Sequence, residues 1–338
     1  MDDTHHDSIS GSRQMEQVLY EVKRVVVGQD HFLERVLVAM LAQGHLLVEG
    51  VPGLAKTLTI KTLARTIRGS FHRIQFTPDL VPADLIGTRI YNQKTGEFST
   101  ALGPVFSNLL LADEINRAPA KVQSALLEVM QEYQVTIAGE THPVPKPFLV
   151  MATQNPIETE GTYPLPEAQV DRFMMKVLVG YPSEEEECVI VNRVTGEAPE
   201  VAAVTTTDQL AQLQRQCRTG YVDPSLVQYA VRLVAATRNP RSYGVPDVAQ
   251  YLSAGASPRA SIQIVEGARA LAFLRGRNYV RPEDVTDIAP DVLRHRLALS
   301  YEALSDAITP DHLVRRLMRH LPAPDKLLDS HVNLHANA

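Results

Sequence analysis

Leu46-Leu47-Val48, a short apolar run, leads straight into Gly50-Val51-Pro52-Gly53-Leu54-Ala55-Lys56-Thr57. Few folds accommodate that succession. A buried strand must feed a glycine-containing loop, and the loop must feed a helix that opens on a lysine and a hydroxyl residue. Tight turns in such a loop aim several backbone N–H groups at one point, the helix N-terminus adds partial positive charge, and Lys56 adds a full one. The product is a cradle for a phosphate-bearing ligand, with the Thr57 hydroxyl placed for a metal ion on the phosphates. Ala55 stands where a glycine usually precedes the lysine. It costs little if that position takes ordinary helical dihedrals, and the pattern predicts the cradle on that condition.

Strand and helix patterns alternate as far as about Pro182, which predicts an α/β domain with a parallel sheet and helices on both faces. The expected strands cover residues 46–49, 72–76, 108–112, 148–153 and 174–179. Ahead of them, Val18, Leu19, Val22, Val25 and Val26 predict an amphipathic helix over residues 15–26, after a frayed tail over residues 1–12. Two segments interrupt the alternation. Residues 87–99, with a Lys94-Thr95-Gly96 turn, and residues 135–141, followed by Pro143, Pro145 and Pro147, read as β-hairpins inserted into the core. Past Pro182, Ser183 and Glu184 to Glu187 read as a capped helix start, with Glu186 closing a capping box. The organisation expected is a nucleotide-binding core over 13–182, a connecting helix and linker over 183–207, an all-helical lid over 208–321 and a tail over 322–338. Pro282, Glu283 and Asp284 mark one helix start within that lid.

Composition narrows the function. At 338 residues, 44% hydrophobic and 21% charged, the chain can bury two ordinary globular cores. A formal charge of −6 argues against broad nucleic-acid binding, which needs a net basic surface. Cys188 and Cys217 match no metal spacing and no disulfide framework, the acidic start is no signal peptide, and no apolar run reaches membrane-spanning length. A cytoplasmic location is expected. The 11 histidines are scattered and compose no zinc motif.

The cradle needs a second half. Asn108-Leu109-Leu110-Leu111-Ala112-Asp113-Glu114 is an apolar strand ending in two carboxylates. In phosphoryl-transfer chemistry the first helps hold Mg²⁺ and the second polarises the attacking water. Right-handed crossovers bring both motifs to the carboxyl edge of one sheet. Another apolar strand, from Phe148, ends at Gln154-Asn155-Pro156, where Asn155 is either a turn residue or an orienter of the lytic water.

Together with Val27-Gly28-Gln29, Phe76-Thr77-Pro78-Asp79-Leu80, Ile115-Asn116-Arg117-Ala118-Pro119, Gly161-Thr162-Tyr163-Pro164-Leu165-Pro166-Glu167 and Asp171-Arg172-Phe173, these motifs resemble the AAA+ ATPases. More narrowly they resemble the MoxR group, in the clade with an insertion in its second helix. The resemblance implies an ATP- and Mg²⁺-dependent ATPase that forms a homo-oligomeric ring, a hexamer. Val27, Gly28 and Gln29 would border the adenine, and the loop from Gly50 through Leu58 would hold the phosphates. Lys56 would neutralise them, Thr57 and Asp113 would serve Mg²⁺, and Glu114 would be the base. Asn155 matches the first sensor, Arg172 the arginine finger projected into a neighbour's site, and Arg259 the second sensor on the lid. Both hairpins would point toward the ring's pore or face. Ala55 is a variant familiar in that group. The resemblance also implies client enzymes or complexes being matured or loaded with a metal cofactor, and a partner with a von Willebrand factor A domain.

Three other readings compete. A nucleic-acid motor would need basic hairpins, whereas here the first hairpin carries Arg89 and Lys94 offset by Glu97 and the second is not basic. A nucleotide-gated scaffold needs no complete catalytic set. The ATPase subunit of a metal chelatase would need a dedicated chelating partner.

Overall fold

The computed structural model describes residues 2–94, 96–157, 161–196 and 199–324, and for residues 2–9 the backbone alone. Residues Arg13–Gln214 form one compact unit; the chain from Arg215 onward, with the first residues of the N-terminal helix, forms another.

The first unit contains most of α1 (Asp2–Val25), then α2 (Asp30–Leu41), β1 (Leu46–Glu49), α3 (Lys56–Thr66), β2 (Phe71–Gln75), α4 (Pro82–Ile86), β3 (Gly87–Asn92) and β4 (Glu97–Leu102). It continues through β5 (Leu109–Asp113), α5 (Ala120–Glu132), β6 (Gln134–Ile137), β7 (Glu140–Pro143), β8 (Leu149–Gln154), α6 (Glu167–Val170), β9 (Met175–Leu178) and α7 (Glu184–Thr195). Five strands make a parallel sheet in the order β2-β5-β8-β1-β9. Leu46, Leu47 and Val48, Leu109 to Ala112, and Leu149 to Ala152 are all buried. Continuous apolar runs of this kind belong to strands covered on both faces. The chain runs from β1 out to β2, returns through β5 and β8, and then passes to β9 on the far side. That reversal is a topological switch point, where ligands bind α/β sheets. The strand ends meet there in register: Glu49 pairs with Gln154, and Gln75 with Asp113.

Both inserted hairpins are present. β3 and β4 pair antiparallel from Gly87↔Leu102 to Asn92↔Glu97, so the return strand runs three residues further than the expected 87–99. The Thr95 position of the expected turn lies outside the described residues. β6 and β7 are joined by Ala138-Gly139, both at positive φ (50° and 89°), the two-residue turn whose twist suits a hairpin.

Two expectations are corrected. The tail over residues 1–12 is helical from Asp2, because α1, nucleated on buried Met15, Val18 and Val22, gains one hydrogen bond per added residue. Within the segment read as a linker, the Val204 and Thr205 N–H groups both donate to the Thr66 carbonyl, at 2.9 and 3.1 Å. The capped start of α7 stands, with Ser183 Oγ accepting from the Glu186 N–H and the Glu186 carboxylate accepting from the Ser183 N–H.

The other correction concerns the second unit, which is not purely helical. α8 (Thr207–Arg218), whose last turn belongs to it, leads to α9 (Pro224–Arg238), α10 (Pro246–Ala249), β10 (Leu252–Ala254), α11 (Pro258–Leu274), α12 (Pro282–Leu293), β11 (Ala298–Leu299), α13 (Tyr301–Ser305) and α14 (Pro310–His320). β10 and β11 pair antiparallel, since two extended connections passing side by side satisfy each other's backbone groups. Asp284, in the first turn of α12, is fully buried and receives both Arg277 Nη atoms at 2.6 and 2.7 Å. Beyond residue 324, most of the expected C-terminal tail lies outside the described residues.

Candidate functional site

The loop between β1 and α3 is built by close approach. At Gly50 a Cβ would stand 2.7 Å from the Val179 carbonyl on the neighbouring strand's exit, so only glycine fits there. Ala55 adopts φ 56° and ψ 16°, the left-handed region, and so does not meet the condition of ordinary helical dihedrals. A residue with a Cβ pays roughly 1–2 kcal/mol for that conformation. The strain sits where α3 begins, and no side chain caps the helix there. Its first N–H groups therefore face the loop as donors for an anion.

Opposite them stand the acids. A cavity of about 380 Å³ is walled by the loop from Pro52 to Leu58, by Asp113 and Glu114 at the end of β5, by Asn155 after β8, and by Arg73 and Gln75 on β2. Lys56 Nζ donates to the Gly50 carbonyl at 2.6 Å. Burial pulls its pKa below the ordinary lysine value, and the negative charges of Asp113 and Glu114 oppose that shift. Thr153, on β8, ties the Asp113 carboxylate to the Glu114 backbone. Its hydroxyl donates to Asp113 Oδ1 at 2.5 Å and accepts the Glu114 N–H at 2.9 Å. Glu114 itself is left-handed at φ 58°, which turns its side chain out of the strand's alternation. Its carboxylate receives Gln75 Nε2 at 2.8 Å and Arg117 Nε at 2.9 Å. Asn155 makes the turn contact, its Oδ1 accepting the Ile157 N–H at 3.1 Å, and it also walls the cavity.

The chemistry of this donor set fits a magnesium–triphosphate. Amide donors, an ammonium and the Thr57 hydroxyl line one wall, and carboxylate oxygens the other. Among the described residues no group of three or more His, Cys, Asp or Glu forms a dedicated metal cage. Mg²⁺ in such sites keeps its waters and takes one or two carboxylates plus substrate phosphates.

Other expected positions lie off this cavity. Gly28 (φ 65°) abuts the Glu186 carboxylate, and Gln29, also left-handed, donates from Nε2 to the Gly180 carbonyl at 2.8 Å. Arg172 follows α6, half-buried, and is not among the cavity's lining residues. Arg259 stands in the first turn of α11, in the second unit. Sequence reasoning missed Thr153, Arg73 and Gln75 and left Arg117 without a role. The signal for the β2 pair was present: in Phe71-His72-Arg73-Ile74-Gln75 only Ile74 is buried, and period-2 alternation puts Arg73 and Gln75 together on the opposite face.

Comparison with known proteins agrees with this geometry. Residues 45–175 match the family described as ATPase family associated with various cellular activities (AAA), and residues 246–317 match the AAA lid domain. The chain is 57% identical to the chaperone MoxR1 of Mycobacterium tuberculosis, across 92% of this chain and 82% of that one. It is 31% identical to the protein MoxR of Methylorubrum extorquens, across 90% and 93%. A crystal structure of a candidate ATPase from Cytophaga hutchinsonii superposes with a TM-score of 0.91 at 47% identity, covering 96% of this chain and 99% of that one.

Proposed function

The chain belongs to the MoxR family of AAA+ ATPases, and on that footing we propose that it hydrolyses ATP with Mg²⁺ and uses the cycle to remodel client proteins. The observation that carries the reading is the convergence of Lys56, Asp113, Glu114 and Asn155 on one cavity beside the uncapped start of α3.

Each residue has a task set by its chemistry. The loop N–H groups and Lys56 bind the phosphates and spread their charge. Thr57 and Asp113 would supply oxygen ligands to Mg²⁺ or its waters, and the metal when bound would draw charge off the phosphate oxygens. Glu114 accepts a proton from the water that attacks the γ-phosphorus, and Asn155 orients that water. A guanidinium is still required for the developing charge, a contribution of about 10³–10⁵ in rate. We assign it to Arg172 of a neighbouring copy in a homo-oligomeric ring, with six subunits as the proposed number. Arg259 is assigned to the same nucleotide as a lid-borne sensor, and Val27, Gly28 and Gln29 to its base.

Clients are proposed to be enzymes or complexes under maturation, including loading with a metal cofactor, with a von Willebrand factor A domain protein as partner. The name of the 57%-identical relative, a chaperone, supports the remodelling role. The reading places the protein in the cytoplasm; free Cys188 and Cys217 suit that compartment, and no helix among the described residues is long and apolar enough to cross a membrane.

Glu114→Gln keeps the side chain's shape and removes its basicity. Phosphate release by this variant should fall by about 10²–10⁴, the usual worth of a positioned base, with ATP binding retained. Normal turnover would remove Glu114 from the role.

A further inference from the structure

We propose that Arg73 is a resident counter-cation of the magnesium carboxylate, holding Asp113 and yielding it when Mg²⁺ binds, so that guanidinium and metal compete for one oxygen. The proposal rests on the assignment of Asp113 made above.

Arg73 lies on the edge strand β2, its side chain half-exposed, in the wall of the cavity. Nη2 and Nε donate to Asp113 Oδ2 at 2.6 and 3.1 Å, while the Thr153 hydroxyl takes Oδ1 at 2.5 Å. Both oxygens of Asp113 are thus engaged within the chain. Nη2 also donates to Gln75 Oε1 at 2.9 Å, and Gln75 Nε2 donates to Glu114 Oε2 at 2.8 Å. The contacts run Asp113–Arg73–Gln75–Glu114, from one acid to the other. Gln75 gives the guanidinium a second partner when Asp113 leaves it.

Two electrostatic consequences follow, and both act in one direction. With Arg73 in place, Asp113 is neutralised and does not repel the phosphates of metal-free nucleotide. With a neutral side chain there, bare Asp113 repels those phosphates and attracts a hard cation more strongly. Linkage joins both effects in a single ratio, the nucleotide dissociation constant without Mg²⁺ divided by that with saturating Mg²⁺.

The experiment titrates a fluorescent ADP analogue into the full chain, in EDTA and in Mg²⁺. Wild type, Arg73→Gln, Arg73→Lys and Asp113→Asn are compared. Arg73→Gln should raise the ratio about tenfold over wild type, a coupling change of ordinary allosteric size. Arg73→Lys, which keeps the charge but not the forked geometry, should stay within about threefold of wild type. Asp113→Asn should bring the ratio close to one. A ratio in Arg73→Gln that is unchanged or lower, alongside a collapsed ratio in Asp113→Asn, overturns the competition while leaving the site assignment standing. A wild-type ratio in Asp113→Asn removes Asp113 from the metal site, and the proposal with it.

Discussion

Just before β1 lies a buried histidine with a defined tautomer. His45 Nδ1 accepts the Val150 N–H at 3.0 Å, so the ring proton sits on Nε2 and donates to the Met130 carbonyl at 3.0 Å. A second ring proton would point at the Val150 N–H. Burial holds the pKa down at about 4 from 6.5, although the Met130 carbonyl works against the shift. The folded chain therefore keeps His45 neutral where the unfolded chain protonates it, and stability falls as pH drops from 6.5 toward 4. The full loss is about 3 kcal/mol, and roughly 2 kcal/mol of it is spent by pH 5. Denaturant unfolding at pH 7 and pH 5 should show wild type losing that much more than His45→Gln. Parallel losses in the two chains would contradict the assignment. This residue is remote from phosphate chemistry, yet it joins β1 to β8 and α5 beneath the strand ends that carry Glu49 and Gln154.

Among the elements, the β3–β4 hairpin stands out for what it leaves uncovered. Tyr91 and Phe98 face each other across the ladder with ring centroids 5.0 Å apart, and both are more than half exposed. The Arg89 guanidinium lies 5.1 Å from the Phe98 centroid. Aromatic faces beside a cation suit contact with polypeptide, and they add nothing to phosphate binding. Replacing both Tyr91 and Phe98 with Ser should leave basal ATP hydrolysis within about twofold while weakening capture of an unfolded polypeptide probe, since apolar burial drives that contact. Undiminished capture would free the hairpin from client binding. These ribbons were legible in the sequence because alternation and a tight turn are local signals. The central strands were legible for a different reason: parallel strands buried on both faces must be written as apolar runs, and Leu109-Leu110-Leu111-Ala112 is one. What was illegible depended on tertiary closure. The left-handed Ala55 is set by where α3 must start, and the pairing of Arg73 with Asp113 by the register of β2 on β5. The β10–β11 ribbon is too short to carry a pattern.

For the molecule as a whole, the cavity gathers the cradle, both acids and Asn155 within Arg13–Gln214, while Arg172 is not part of its wall. Under the proposed assignment, a guanidinium borrowed from an adjacent copy would make turnover an assembly property. Chains carrying Arg172→Ala and chains carrying Glu114→Gln should each be inactive, and mixtures should recover part of the activity, with a maximum near equal proportions. Activity no greater than the sum of the two at every ratio would exclude a shared centre. Beneath all of this lies the claim that residues 50–57, with Lys56, grip a triphosphate. Equilibrium ATP binding by Lys56→Ala addresses it most directly. Losing a charge-assisted contact of about 1.5–3 kcal/mol should weaken affinity roughly 10- to 100-fold. Affinity equal to that of the wild type would place the nucleotide somewhere other than this loop.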